Sequence, residues 1–262
     1  MNPPSARYWL GTIIMCAASA PMRIMPMIMT TDTTTGTGMT MTMAMATDIT
    51  TTTGSEAVPG WTRDPAEIYR QSFATIRTET DLARVPAELT DLAIRVVHAC
   101  GMPDIVAELA WSAGAAGAGQ AALAAGKPIV VDAEMVAHGI IRRRLTAANP
   151  VICTLGEVTA TEAGEAGTTR SALAVDRWLP WLDGAVVAIG NAPTALFRLL
   201  ELMAAGAPRP ALVLGFAVGF VGAVESKQAL IASGLAHVTL PGRRGGSAMA
   251  AAAVNALAGG LA

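Results

Sequence analysis

Short apolar runs alternate with longer helical patterns along most of this chain. ELAWS (108–112), PIVVD (128–132), PVICTL (150–155), AVVAIG (185–190), ALVLG (211–215) and HVTL (237–240) are each bounded by glycine, proline or polar residues. Runs of this length between turn residues read as strands. Alanine-rich stretches of helical period separate them, which predicts an α/β fold, a largely parallel sheet flanked by helices on both faces, formed as a single domain over residues 58–262. Two helical patterns precede the alternation. Residues 64–79 begin with a capping Asp64 and Pro65 and carry Ile68, Phe73 and Ile76 at helical spacing. The second runs from Pro86 through DLAIRVVHAC and stops at Gly101.

Upstream of residue 58 the pattern disappears. Ten of the 14 methionines and a long threonine tract fall in residues 1–57, with no apolar period able to build a core. This stretch is expected to be a disordered low-complexity extension. Residues 1–20 imitate a secretory signal through Arg7, the apolar YWLGTIIMCAA and Ala18-Ser19-Ala20, but Pro21 is a poor cleavage context. A start codon assigned too far upstream explains the same residues more simply.

Composition narrows the partners. The chain is 52% hydrophobic with a mean hydropathy of +0.46, yet much of this is alanine, and no run of about twenty strongly apolar residues suits a membrane. Its 18 basic and 20 acidic residues give a net charge of −2, which argues against nucleic acid. Cys16, Cys100 and Cys153 show no metal-ligand spacing, and their odd number argues against a disulfide framework. A cytoplasmic protein without a bound metal is the expectation.

Three turns concentrate the candidate binding chemistry. Ile189-Gly190-Asn191-Ala192-Pro193-Thr194-Ala195-Leu196 follows AVVAI and opens a helical pattern, with Gly190 for the turn, Asn191 as cap and Pro193 in the first helical turn. Free amides there would seat an anion. GFAVGFVGAVESK (215–227) and GRRGGS (242–247) occupy equivalent positions after ALVL and HVTL. Small residues let a large planar ligand approach the backbone, and Lys227, Arg243 and Arg244 favour carboxylates or phosphates on it.

The series SFATIR (72–77), HACG (98–101), GKPIVVD with MV and GI (126–140), TRSA (169–172), IGNAPTAL (189–196), VGFVGAVESK (218–227) and GRRGGSA (242–248) resembles the precorrin-8X methylmutase family of cobalamin biosynthesis. The resemblance spans about residues 61–260, and its main departure is Ala217, where the family usually has proline. It implies an isomerase that moves a methyl group from position 11 to position 12 of the corrin macrocycle, turning precorrin-8X into hydrogenobyrinic acid without any cofactor. It also implies a homodimer with active sites near the interface. A [1,5]-sigmatropic shift needs no nucleophile, only a substrate held in the right tautomer and charge state.

His98 closes a helix just before Gly101, where the helix dipole favours an imidazolium, and the resemblance makes it the catalytic acid/base. Ser72 matches a family position that contacts substrate near that histidine. Arg77 shares the first helix with Ser72, and Arg170 offers a planar fork for a substrate carboxylate. Asn191, Thr194, Ser226, Lys227, Arg243 and Ser247 are further substrate-binding candidates from the three turns. His138 and His237 read as structural, and Arg142-Arg143-Arg144 as a solvated helix end.

Two other functions compete. Gly117-Ala118-Gly119-Gln120-Ala121-Ala122 satisfies a dinucleotide fingerprint after ELAWS, with Glu134 downstream, and would make a nicotinamide-dependent oxidoreductase. A non-catalytic tetrapyrrole carrier is the other alternative.

Overall fold

The computed structural model describes residues 60–261. The extension and signal-like segment expected over 1–57 lie outside the described residues. Helix α1 (Pro65–Glu79) begins as its sequence requires, with the Asp64 carboxylate accepting the Ala66 N–H at 3.0 Å and proline at the first position. Helix α2 (Ala87–Cys100) ends where Gly101 adopts φ 68° and returns its N–H to the Val97 carbonyl. Buried Phe73 and Ile76 join α1 to the same core as α2.

All six apolar runs form strands: β1 (Ala110–Trp111), β2 (Ile129–Val131), β3 (Val151–Cys153), β4 (Val186–Ile189), β5 (Leu212–Gly215) and β6 (His237–Thr239). They make one sheet in the order β1-β6-β5-β4-β2-β3. Every pairing is parallel except β1 with β6. Successive residues serve opposite faces. Val186 and Ala188 enter one core while Val187 and Ile189 enter the other, and all four are fully buried.

Helices α3 (Ala115–Ala124), α4 (Glu134–Gly139) and α9 (Ser247–Gly259) cover the first face together with α2. Helices α6 (Arg170–Asp176), α7 (Pro193–Ala204) and α8 (Ala223–Ala232) cover the second, and the short α5 (Ala160–Glu165) packs against α6. Alanine dominates α9 because the helix lies between α2 and the sheet, where a large side chain would hold the layers apart.

The dinucleotide fingerprint does not survive this arrangement. Residues 117–122 lie inside α3, and a Cβ on Gly119 would come within 2.9 Å of the Leu257 side chain. Gly119 serves helix packing and Gly117 is exposed on the same helix; the fingerprint needs a turn between a strand and a helix. The arginine triplet also differs from expectation. Arg142–Arg144 form a single 3-10 turn, and Arg144 donates to the carbonyls of Gly259 and Gly260.

Candidate active site

The chain leaves β2 towards β3 on one side and leaves β4 towards β5 on the other, so the crevice beyond the carboxyl ends of β2 and β4 is the sheet's topological switch point. Ligands of open α/β sheets collect at such points. Here the protein occupies part of it. Asp132, which follows β2 and is 3% exposed, accepts the amides of Gly190, Asn191 and Ala192 at 2.9, 2.9 and 2.7 Å. Burial pushes its carboxyl up, and the three donors offset only part of that rise. The anion seat expected at IGNAPTAL is therefore filled by the chain's own carboxylate. Asn191 is not the helix cap either, because Ala192 takes that position without a side-chain bond. Asp132 does the capping from across the crevice.

The three turns do come together. The Asn191 carbonyl accepts from Val218 N–H, the Phe216 carbonyl from Gly246 N–H, and the Arg243 carbonyl from Gly219 N–H. Gly190 needs to be glycine for its close approach, since a Cβ there would meet the Ser247 Cα at 2.7 Å. Gly245 is equally crowded by the Phe216 and Ala217 carbonyls. Arg243 stacks over the Phe220 ring at 5.4 Å, and Phe220 and Val221 are 87% and 89% exposed. Asn191 and Ser247 are half-buried at the centre of this cluster, with Thr194 in the first turn of α7.

Several candidates are otherwise employed. Ser226 and Lys227 are fully buried, so neither offers a ligand any surface in this chain. The Ser226 hydroxyl donates to the Ala223 carbonyl, and Lys227 Nζ donates to the Arg244 carbonyl at 2.7 Å, supporting the GRRGGS turn from below. Burial draws the Lys227 ammonium down to about 8. Arg244 bridges Asp104 and Glu108. Arg170 spends Nε and Nη2 on the Val158 and Leu155 carbonyls, so its fork is partly committed to the fold. Thr194 Oγ1 accepts from Thr169 Oγ1 at 2.8 Å beside a cleft of about 380 Å³ between α6 and α7.

His98 forms a second centre on the outer surface of α1 and α2. It is exposed, and Ser72 Oγ lies 2.8 Å from its Nδ1. Tyr69 and Phe73 flank the imidazole with ring centres at 5.5 and 5.2 Å. Partial burial and the nearby Arg95 guanidinium hold its pKa below the usual 6.5. Residues 69, 72, 73 and 76 share one face of α1, whereas five residues on from Ser72 the helix has turned away. Arg77 accordingly pairs with Asp91 at 3.6 Å. The sequence reading missed Tyr69, Phe73, Arg95 and Asp132. The i, i+3 and i+4 spacing from Tyr69 to Ser72 and Phe73, and from Arg95 to His98, was visible, but which helix faces meet was not. The exposed His138 bonds the Glu134 carbonyl of its own helix, and buried His237 bonds the Leu235 carbonyl.

A doubly covered, mostly parallel sheet with glycine turns gathered at its strand ends defines an open α/β protein with a crevice of the kind that binds ligands, and the serine-held histidine is its candidate acid/base. Comparison with known proteins gives the family. The precorrin-8X methylmutase family model matches residues 67–259, so the chain belongs to this family and is an isomerase of cobalamin biosynthesis. A precorrin-8X methylmutase of Pseudomonas aeruginosa is 63% identical over 199 residues, covering 75% of this chain and 96% of that protein. A precorrin-8X methylmutase of Sinorhizobium is 54% identical over 75% of this chain and 95% of its own length. The crystal structure of the Thermus thermophilus precorrin-8X methylmutase superposes with a TM-score of 0.68 at 37% identity, covering 74% of this chain and 94% of that one.

Proposed function

We propose that this chain converts precorrin-8X to hydrogenobyrinic acid, with His98 as the general acid/base that steers migration of the methyl group from position 11 to position 12. The observation that carries the role of His98 is the Ser72 Oγ contact at its Nδ1. With Nδ1 engaged by the hydroxyl, Nε2 is the nitrogen that addresses substrate. Protonation of a macrocycle nitrogen by Nε2 polarises the conjugated system, the methyl group migrates within one molecule, and the proton returns to the imidazole. No atom is gained or lost, so the protein supplies only orientation and a proton. Ser72 thus fixes the tautomer and ring plane of His98 and reaches substrate through it.

Arg243 and the exposed Phe220, with Asn191, Thr194 and Ser247, are the substrate-binding candidates that remain accessible; Arg77 and Arg170 would need to leave their present partners. The cobalt-free substrate is favoured because the relatives at 63% and 54% identity are named for precorrin-8X, whereas a Priestia megaterium relative named for cobalt-precorrin-8 is 34% identical. A homodimer is supported by apolar surface left open at Ile68, Tyr69, Phe220 and Val221. A cytoplasmic site of action fits a chain in which, among the described residues, no helix is long and apolar enough to cross a membrane.

The test is the ultraviolet-visible spectrum of purified protein with precorrin-8X. Conversion to the hydrogenobyrinic acid chromophore is expected, and its absence overturns the substrate assignment. His98→Ala should lose about 10²–10⁴-fold in turnover while product binding persists. A carrier would show no such separation.

A further inference from the structure

Arg95 lies one helical turn before His98 on α2 and is 5% exposed. Its Nε and Nη2 both donate to the Gly260 carbonyl, at 3.0 and 2.6 Å, in the turn that closes α9. Arg144 sends Nη1 to the same oxygen at 3.0 Å. On its other side the Arg95 guanidinium lies 5.6 Å from the centre of the Phe73 ring, which in turn meets the His98 imidazole edge-on. A continuous line of contact therefore runs from the end of α9 through Arg95 and Phe73 to the histidine. Two guanidinium groups converge on one carbonyl at a helix C-terminus, where the dipole offsets part of the cost of a buried cation.

We propose that Arg95 is a positioning residue for His98: it ties α2 to the closing turn of α9 and presses Phe73 against the imidazole, so that Nε2 is held towards substrate. The inference rests on His98 being the acid/base, and it reaches beyond the histidine to the group that holds it. Tyr69 and Ser72 face the ring from α1, and Arg95 faces it from α2. Behind Arg95, Asp91 and Arg144 set the local charge, and Asp91 is shared with Arg77. The Arg95 charge disfavours imidazolium in the free protein, so a polycarboxylate substrate arriving beside it has the larger effect on the ring's proton.

The test uses the full chain with Arg95→Met, Arg95→Lys and Phe73→Leu. His98 is followed by NMR titration without ligand, alongside kcat, KM and Tm. Arg95→Met should raise the His98 midpoint and cut kcat about tenfold with a smaller change in KM, the effect of losing about 1.4 kcal/mol of alignment. Arg95→Lys keeps the charge but not the fork, so it should leave the midpoint near its parental value and still lower kcat. Phe73→Leu should lower kcat with Arg95 intact. An Arg95→Met protein of parental Tm with unmoved midpoint and kcat overturns the proposal. So does a loss of activity matched by a lower Tm with the midpoint unmoved, which marks a purely structural arginine. Should Arg95→Met not fold, parental kcat in Arg95→Lys or Phe73→Leu overturns it. Retained turnover in His98→Ala would instead defeat the acid/base assignment while leaving the ligand-free titration result to stand alone.

Discussion

At the scale of single residues, the chemistry rests on how one imidazole is held. Ser72 takes Nδ1, Tyr69 and Phe73 bracket the ring, and partial burial together with the Arg95 charge lowers its affinity for a proton. A group whose folded-state pKa lies below its unfolded value makes the native state bind fewer protons, so its contribution to stability falls as the pH drops through the region below 6.5. The same shift has a kinetic signature. A general acid must be protonated, so kcat/KM, which reports the free enzyme, should decline as pH rises through a value below 6.5. The decline in kcat should fall at higher pH, because bound substrate carboxylates favour the imidazolium. Parallel pH-rate profiles for wild type would count against this order.

At the scale of elements, the three strand-to-helix turns work as one assembly, and Asp132 is its keystone. In Asp132→Ala three backbone amides lose their acceptor, which should cost on the order of 3 kcal/mol in urea denaturation. The emptied seat should also accept inorganic phosphate, so the variant's Tm should rise with phosphate more than that of the parent. Gly245→Ala probes the other side of the assembly. Its Cβ would lie 2.7 Å from the Ala217 carbonyl, and backbone cannot yield as a side-chain tip does. Weakened substrate binding, read as a higher KM, together with a lower Tm is the expected result; a fully parental Gly245→Ala enzyme would show that the turns need not touch.

At the scale of the molecule, the family match begins at residue 67, and the helix that carries Ser72 begins at Pro65. We therefore propose that residues 58–262 form the catalytic domain and that residues 1–57 are an appendage to it. A chain starting at residue 58 should keep the kcat and KM of the full chain and sediment as a dimer. A monomer of undiminished turnover would remove the dimer from the catalytic account, and lost activity would give the extension a catalytic role.

The sequence by itself determined the strands, the order of strand and helix, the helix ends at Asp64 and Gly101, and the family motifs around His98. These are local matters: a strand covered on both faces is mostly apolar, and caps act within a few residues of the chain. What only the tertiary structure decided is who meets whom. Gly117 to Ala122 fit a nucleotide turn as letters and became a packed helix once Leu212 and Leu257 filled the space beside Gly119. IGNAPTAL looked like an open anion seat until Asp132, nearly sixty residues earlier, supplied the anion. Lys227 looked like a ligand cation and is sealed beneath the Arg244 carbonyl. In each case the deciding partner is distant in sequence, and periodicity carries no record of it because it encodes which face is buried and not what lies against that face.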